Sequence, residues 1–429
     1  MKIKRDKYLK QLIDKKDNGL IKVITGIRRC GKSYLLFNIY YEYLISIGVP
    51  ENNIICIPLD DIDYEMYCDP YKLNDYIKNR ITASDQKYYV FVDEAQCAIT
   101  KEELKNLDVP IRLYGVLNSL LRKKNVDVYI TGSNSKFLSS DIMTEFRGRG
   151  DEIHMMPLSF SEYYPAAQKE KMDAWHDYLY YGGLPHVLEE KTEESKSNYL
   201  NKLNNEIYLR DIFERYDIRD EIGMESLMKV IASAIGSLSN AQKISDTFNS
   251  NGYKGITMPT ISNYLKYLQE SFVIQKAERY DIKGRKYIST PSKYYYTDLG
   301  LRNALLNFRQ FEETHLMENA IYNELIYRGY AVDVGVVETR ATEDNKKVRK
   351  QLEVDFVVNQ ASKRYYIQSA LILPDKEKLD QEQASLKKIP DSFKKMIVVG
   401  SNQPLWRNED GIAVIGIYDF LLNENSLEL

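Results

Sequence analysis

The pattern G-x-x-x-x-G-K-[ST] is matched in full by Gly26-Ile27-Arg28-Arg29-Cys30-Gly31-Lys32-Ser33. An apolar, strand-like run (Leu20–Thr25) precedes it and a helical pattern (Ser33–Ile47) follows it, which is the context that this motif requires. Glycines there let backbone N–H groups wrap around a phosphate at a helix N-terminus. Lys32 would reach the β- and γ-phosphates, and the Ser33 hydroxyl would bind Mg²⁺. The segment, extended to Tyr34, therefore predicts a loop that binds ATP with Mg²⁺.

Residues 1–157 alternate short β-rich runs with longer helical patterns. The runs are apolar over nearly their whole length, which is typical of a parallel sheet covered by helices on both faces. We therefore predict an α/β fold for this part of the chain. The β-rich runs are Leu20–Thr25, Ile54–Leu59, Tyr88–Val92, Val126–Thr131 and Glu152–Met156.

Two carboxylates, Asp93 and Glu94, end the third of these runs. We expect Asp93 to hold Mg²⁺ through water and Glu94 to orient and deprotonate a water that attacks the γ-phosphate. The alternative is that both residues only cap the following helix. The upstream phosphate-binding pattern favours the catalytic interpretation.

Two further positions are candidates for catalysis. Ser133 or Asn134, after the fourth run, would hydrogen-bond the γ-phosphate or the attacking water, or would simply begin the next helix. Arg149 precedes the fifth run and is a candidate arginine finger that acts in a neighbouring subunit's site. The alternative for Arg149 is a solvated basic turn. An arginine finger would require a homo-oligomer.

Composition excludes several classes of protein. The 429 residues predict two or three domains, and the net charge of −3 gives no overall attraction to nucleic acid. Four cysteines without a CxxC pair indicate reduced thiols and a cytoplasmic location. Four scattered histidines argue against a zinc site. No segment approaches the roughly 18 uninterrupted apolar residues that span a bilayer, so we expect no membrane association.

After residue 157 the patterns change. Residues 158–222 are mostly helical, with a turn at Gly182-Gly183-Leu184-Pro185. Three helical segments then lead into a predicted hairpin (Phe272–Tyr280 and Lys286–Tyr296), which is the order of a winged helix. Its cations would contact nucleic-acid phosphates, or else the domain contacts protein or acts as a spacer. These cations are Lys283, Arg285, Lys286 and Lys293. Strand-like runs continue to residue 417, with residues 339–350 predicted as an exposed loop.

Several motifs together resemble a prokaryotic family of AAA-type ATP-binding proteins with a C-terminal domain of unknown function. They are residues 26–33, Asp93-Glu94-Ala95-Gln96, Thr131-Gly132-Ser133-Asn134, Gly148-Arg149, Pro157-Leu158-Ser159-Phe160-Ser161-Glu162, Tyr181-Gly182-Gly183-Leu184-Pro185 and Tyr208-Leu209-Arg210-Asp211-Ile212. The resemblance implies an AAA+ core with strand order 5-1-4-3-2 (residues 1–157), a helical lid (158–222), a winged helix (223–309) and a restriction-endonuclease-like domain (310–429). It also makes Arg210 a candidate second sensor.

The nuclease-like fold would need a carboxylate pair and a lysine to bind a divalent cation and activate water. Glu318, Glu353 and Asp355 provide carboxylates, but Gln368-Ser369-Ala370 stands where a second carboxylate and the lysine are required. We therefore expect a module that does not cleave. The whole sequence predicts Mg²⁺-dependent ATP hydrolysis coupled to nucleic-acid binding or remodelling. The alternative is a nucleotide-dependent switch that acts on a protein partner.

Overall fold

A computed structural model describes residues 3–100, 102–103, 109–132, 149–250, 256–343 and 346–429, with only the backbone described at 206–208, 340–343 and 346–348. Ser133 and Asn134 lie outside the described residues. The chain forms two compact units. The first comprises residues 1–157 with 270–272, and the second comprises residues 158–269 and 273–429. The four-domain division stays a prediction.

The first unit is built on a five-stranded parallel sheet in the order β2-β3-β4-β1-β5. This arrangement confirms the predicted α/β fold and the order 5-1-4-3-2. β1, β3 and β4 are buried along their whole length, as expected for strands covered on both faces. The strands are β1 (Ile21–Thr25), β2 (Ile54–Pro58), β3 (Tyr88–Asp93), β4 (Val126–Thr131) and β5 (Gly150–His154).

Helices cover this sheet. α2 begins at Lys32, and the helical path continues through a π-helical stretch into α3. α4 begins at Pro70 because proline fits the first helical turn, and the Asp69 side chain accepts hydrogen bonds from two backbone N–H groups. The described helices of the first unit are α1 (Asp6–Asp14), α2 (Lys32–Tyr34), the π-helix Leu35–Tyr40, α3 (Tyr41–Ser46), α4 (Pro70–Arg80) and α5 (Arg112–Leu121).

The second unit begins with helices. The side chains of Ser159 and Glu162 form a reciprocal capping box that starts the first of them. Most of the others were expected from the helical patterns. They are α6 (Phe160–Ala167), α7 (Lys171–Tyr181), α8 (Glu193–Lys202) with the π-helix Leu203–Leu209, α9 (Arg210–Tyr216), α10 (Glu221–Ser233), α11 (Ala241–Ser250), α12 (Met258–Glu270), α13 (Leu299–Leu305) and α14 (Glu313–Tyr327).

The turn Gly182–Pro185 has a structural role within this unit. Gly182 has a φ of +76°, and a Cβ on it would lie 2.3 Å from Asp298 Oδ1. Asp298 accepts hydrogen bonds from the backbone of Gly183 at 2.8 Å and of Leu301 at 3.0 Å, which joins the turn to the start of α13. Gly182 is therefore explained by its conformation and close packing, and Asp298 by the hydrogen bonds that it accepts.

An eight-stranded mixed sheet completes the second unit, in the order β12-β13-β11-β10-β9-β8-β6-β7. The predicted β6–β7 hairpin belongs to this sheet, because β6 pairs with β8 in parallel. The winged-helix interpretation stays a prediction. The remaining elements are β6 (Ile274–Asp281), β7 (Lys286–Tyr296), β8 (Ala331–Glu343), β9 (Lys346–Gln360), β10 (Lys363–Ala370), α15 (Lys376–Lys387), β11 (Lys394–Val399), β12 (Trp406–Arg407), β13 (Ala413–Gly416) and α16 (Ile417–Leu422).

The prediction of an exposed loop at residues 339–350 is wrong. β8 and β9 continue as an antiparallel ladder through this region, from Thr339 opposite Lys350 to Glu343 opposite Lys346. Its backbone hydrogen bonds are satisfied between the two strands, so the hairpin needs no apolar face there. Its polar sequence consequently lacks the alternation that identifies most strands.

Among the described residues, no helix combines the length and the apolar composition that crossing a membrane requires.

Candidate functional site

The loop between β1 and α2 has the backbone that its glycines predict. Gly26 has a φ of +144°, and a Cβ on it would lie 2.2 Å from the carbonyl oxygen of Met155. Gly31 precedes α2 with a φ of 102° and a ψ of 22°, a left-handed conformation that favours glycine. The loop is therefore shaped by two positions at which a side chain is strongly disfavoured, and it opens onto a helix N-terminus.

Lys32 lies inside this loop and is 4% exposed. Its ammonium group donates to the carbonyl oxygens of Gly26 at 3.0 Å and Ile27 at 3.1 Å. The positive charge of Lys32 is therefore held within the loop, where backbone N–H groups and the helix dipole already favour an anion. This arrangement suits the phosphates of a nucleotide.

The other loop residues differ in exposure. Ile27 and Cys30 are fully buried, and the Cys30 thiol contacts the carbonyl oxygen of Met155 at 3.5 Å. Arg29 and Tyr34 are exposed. Ile27 and Cys30 therefore form the buried side of the loop, while Arg29 and Tyr34 are accessible to a bound molecule.

Asp93 and Ser33 meet at the carboxyl edge of the sheet. Asp93 is buried, and it accepts hydrogen bonds from the hydroxyl groups of Thr131 and Ser33. Burial raises the pKa of Asp93, while these two hydrogen bonds lower it. A carboxylate and a hydroxyl are oxygen ligands of the kind that Mg²⁺ accepts.

This pair fits a magnesium ion that is shared with a nucleotide. Within the part of the chain that the structure describes, no group of three His, Cys, Asp or Glu residues could hold a metal by itself. Mg²⁺ commonly keeps several waters and uses one or two protein ligands together with phosphate oxygens. Ser33 and Asp93 are therefore the residues that would hold it.

Glu94 follows Asp93 in a left-handed conformation, with φ 46° and ψ 49°. Its backbone N–H donates to Thr131 Oγ1 at 3.0 Å, and its carboxylate accepts a hydrogen bond from the side chain of Gln96. Sequence reasoning did not identify Thr131 or Gln96 as contacts of this pair. The signal was present, since both stand in the motifs that carried the resemblance.

Two more residues near the loop were not predicted. Asp60 follows β2, and its charge contributes to the raised pKa of Asp93. Its position after a neighbouring parallel strand was the available signal. His154 ends β5 and contacts Thr25 Oγ1 at 3.2 Å; burial, and then the charge of Lys32, lowers its pKa to about 4. We therefore expect His154 to be neutral at physiological pH.

Arg149 is exposed, and its guanidinium donates to Asn118 Oδ1 at 3.3 Å. Its backbone oxygen accepts from the N–H of Ile21, the first residue of β1. Gly26 directly follows the last residue of the same strand, so Arg149 and the loop lie at opposite ends of β1. Arg149 is consequently not brought to the loop of its own chain.

The second unit contains a cluster of charged side chains that is buried except for the half-buried Glu353. Lys293 on β7 is 3% exposed, and its ammonium lies 2.9 Å from Glu318, 2.8 Å from Glu353 and 3.8 Å from Asp355. The lysine that the sequence motif lacks at residues 368–370 is thus replaced near these carboxylates by Lys293 of the β6–β7 hairpin. The expectation that Lys293 contacts phosphate is wrong, since its charge is buried and paired.

The remaining predicted residues of the second unit have other partners. Gln368 Oε1 faces the backbone N–H of Asp355 at 3.4 Å, and the N–H of Ser369 donates to Asp355 Oδ2 at 2.8 Å. Arg210 is exposed and pairs with Glu214 one turn later. Its role as a second sensor stays a prediction.

Comparison with known proteins finds two protein families that match segments of the chain. Residues 18–164 match a family described as an AAA domain, and residues 172–312 match a domain of unknown function, DUF8612. An uncharacterized protein of Haemophilus influenzae is 33% identical over 425 residues, which is 98% of each chain. The uncharacterized protein MJ1544 of Methanocaldococcus jannaschii is 28% identical over 83% of this chain and 75% of its own.

Solved structures show weaker similarity. The ORC1 protein of Aeropyrum pernix, solved in complex with DNA, is 13% identical with a TM-score of 0.30 over 72% of this chain and 93% of its own. DnaA of Aquifex aeolicus, solved with AMPPCP, is 14% identical with a TM-score of 0.29 over 52% and 67%. TM-scores this low do not support a conclusion about this chain, so its family assignment rests on the sequence matches. The chain belongs to a family of prokaryotic AAA-domain proteins, with relatives in bacteria and archaea.

Proposed function

We propose that this protein binds ATP with Mg²⁺ and hydrolyses it, and that hydrolysis is coupled to nucleic-acid binding. The observation that carries the first part is the convergence of Lys32, Ser33, Asp93 and Glu94 at one edge of the sheet. A phosphate-binding loop, an oxygen pair for a hard cation and a glutamate beside them are the groups that ATP hydrolysis requires.

Each group has a defined task. Lys32 and the loop N–H groups bind the β- and γ-phosphates, and Ser33 and Asp93 would hold Mg²⁺, which when bound would neutralise charge on those phosphates. Glu94 accepts a proton from water as the water oxygen bonds to the γ-phosphorus. The bond from that phosphorus to the β–γ bridging oxygen breaks, and the products are ADP and inorganic phosphate.

ATP turnover by the purified protein tests this proposal. Glu94→Gln should bind a fluorescent ATP analogue normally and lower kcat by about 10²- to 10⁴-fold, since it removes the base but not the phosphate site. Lys32→Ala should lose binding as well. Glu65→Gln, which changes an exposed carboxylate of the same unit, is the matched control. Wild-type turnover equal to that of Lys32→Ala would contradict the proposal.

Exposed cations of the second unit support coupling to nucleic acid. Lys283, Arg285 and Lys286 are exposed at the β6–β7 turn. The neighbouring β8–β9 hairpin presents exposed Arg349 and Lys350, and Lys283 reaches across to the backbone oxygen of Glu338 at 3.0 Å. The two hairpins therefore place their cations side by side, in a chain whose net charge is −3.

DNA binding and DNA-stimulated turnover test the coupling. Arg285→Glu combined with Lys286→Glu should weaken binding of single-stranded, duplex or branched DNA. It should also lower the slope of log K against log salt by roughly 0.9 for each duplex phosphate that the variant no longer neutralises. Lys376→Glu with Lys388→Glu applies the same charge change to exposed residues at α15 and should have little effect.

A second candidate function is a nucleotide-dependent switch for a protein partner. Large apolar side chains are exposed on the first unit between β2 and the first turn of α4: Ile62 is 82% exposed, Met66 55% and Tyr71 61%. Exposed apolar groups of this kind are typical of protein contacts. A low turnover rate that no DNA form changes would favour this candidate.

A further inference from the structure

The side chain of Gln96 is an unexplained part of the ATPase site. Its Nε2 donates to Glu94 Oε2. Its own Oε1 is buried and accepts no hydrogen bond from any described residue. A buried amide oxygen without a hydrogen-bond donor is destabilising. The Gln96 amide therefore donates a hydrogen bond to the carboxylate of Glu94, the proposed base. Its own oxygen remains available as an acceptor beside that carboxylate.

The backbone fixes this arrangement. Glu94 has a left-handed conformation, which is unfavourable for a non-glycine residue. Two hydrogen bonds hold it there. Its N–H donates to Thr131 Oγ1 at 3.0 Å, and its carbonyl oxygen accepts from Cys97 N at 2.9 Å. This tight turn brings the Gln96 side chain onto the Glu94 carboxylate.

We propose that Gln96 is a positioning residue for the attacking water. Gln96 Nε2 holds Glu94 Oε2, so that Glu94 Oε1 accepts one O–H of the water. Gln96 Oε1 accepts the other O–H. A water held by two acceptors has its lone pair free for the γ-phosphorus, and its proton goes to Glu94. Gln96 itself exchanges no proton. The inference rests on the proposed ATP hydrolysis and specifies how Glu94 is oriented.

The side-chain chemistry explains why a glutamine suits this position. A leucine has neither the donor nor the acceptor. A second carboxylate would repel Glu94 at neutral pH and would offer no hydrogen to it. Protonation of that carboxylate at acid pH would restore an O–H donor and a carbonyl acceptor. The activity of Gln96→Glu relative to wild type should therefore depend on pH in a way that a loss of packing alone would not produce.

Kinetics of two variants test the inference. Gln96→Leu should lower kcat about 10- to 100-fold, because a displaced base and water lose their alignment. Its affinity for a fluorescent ATP analogue should be unchanged. Gln96→Glu should be impaired at pH 8, and its activity relative to wild type should rise as the pH is lowered towards 5. Gln11→Leu, which makes the same change on α1, should match wild type.

The outcomes separate this inference from the function on which it rests. Wild-type turnover at the level of Lys32→Ala overturns ATP hydrolysis and the inference with it. Active wild type with an unchanged or raised kcat in Gln96→Leu overturns the inference alone. If Gln96→Leu does not fold, the pH profile of Gln96→Glu decides, and a ratio to wild type that is constant with pH overturns the positioning role.

Discussion

Thr131, the last residue of β4, connects Asp93, the last residue of β3, with Glu94, which follows it. Its hydroxyl donates to the buried Asp93 carboxylate and accepts the backbone N–H of Glu94. One small side chain thereby supports the proposed magnesium ligand and the strained backbone of the proposed base. Both bonds are formed away from bulk water, so removing them leaves unsatisfied polar groups.

Thr131→Val should lower stability and turnover together. The substitution keeps the shape and removes the hydroxyl, which leaves Asp93 and the N–H of Glu94 each short of a partner, at a cost of about 1–3 kcal/mol for each. Thermal unfolding and ATP turnover measure the two effects. Thr131→Ser keeps the hydroxyl and is the control. Equal turnover of Thr131→Val and wild type would show that the base does not depend on this contact.

At the scale of single residues, the sequence predicts some groups of the site and not others. Lys32, Ser33, Asp93 and Glu94 stand at fixed distances along the chain, because a phosphate loop and a strand end impose that spacing. The contacts of Gln96 and Thr131 depend on how the turn after β3 folds back and how β3 and β4 pair. Both residues stand in motifs that the sequence shows, but local sequence patterns do not specify which atoms their side chains contact.

Among the elements, the β6–β7 hairpin has a role that its sequence did not reveal. β7 places Lys293 against Glu318 of α14 and against Glu353 and Asp355 of β9. Tyr295, two residues later on β7, donates to Glu318 at 2.6 Å. The hairpin is therefore joined to the helix and the sheet by buried charge as well as by backbone pairing.

Lys293→Met should destabilise the second unit by about 3–5 kcal/mol, because it leaves buried carboxylates without their cation. Combining it with Glu318→Gln should recover part of this loss. Lys276→Met, on the paired strand β6, removes the lysine of an exposed ion pair with Glu278 and should cost at most about 1 kcal/mol. Chemical unfolding of the four proteins gives the comparison, and equal losses for Lys293→Met and Lys276→Met would contradict it.

The same cluster predicts a pH dependence. Burial, followed by the negative charge of Glu318, raises the pKa of Asp355 to about 8 from 3.8. Between about pH 3.8 and pH 8, Asp355 therefore keeps its proton in the folded state, whereas it has released that proton in the unfolded chain. The resulting contribution to stability is complete below about pH 3.8 and is lost as the pH rises through about 8.

The free energy of unfolding of the second unit should accordingly fall between pH 6 and pH 8.5. Asp355→Asn mimics the protonated acid at every pH and should flatten this slope. Denaturant unfolding at a series of pH values measures the effect. The same slope in wild type and Asp355→Asn would assign the pH dependence to other groups.

The fold was predictable where one face or both faces of an element are buried. The five parallel strands were predicted from apolar runs and the β6–β7 hairpin from two β-rich runs around a turn, and the structure has them within a few residues of the expected bounds. The end of the β8–β9 hairpin was not predictable in this way, since its ladder is sustained by backbone bonds. The ion pairs of Lys293 join residues up to 62 positions apart, which no local pattern encodes.

For the whole molecule, the position of Arg149 bears on assembly. It lies beside the first residue of β1, whereas the phosphate loop follows the last residue of that strand. β1 has five residues and spans roughly 16 Å at about 3.3 Å per residue. An exposed arginine at that distance is poorly placed for the site of its own chain, and a neighbouring chain's site is the alternative that the sequence predicts.

If Arg149 acts between chains, two inactive variants should restore activity when they are mixed. Arg149→Ala keeps an intact loop without the arginine, and Lys32→Ala keeps the arginine without a working loop. A mixed assembly then contains interfaces that join an intact loop to an intact arginine, so turnover should recover to a fraction of wild type that depends on the mixing ratio.

Arg122→Ala, which changes an arginine just after α5, is the control and should behave as wild type. Turnover that stays at the level of the separate variants, in a mixture shown by sedimentation to form mixed oligomers, would contradict a role for Arg149 in trans. Full activity of Arg149→Ala alone would support the solvated basic turn instead.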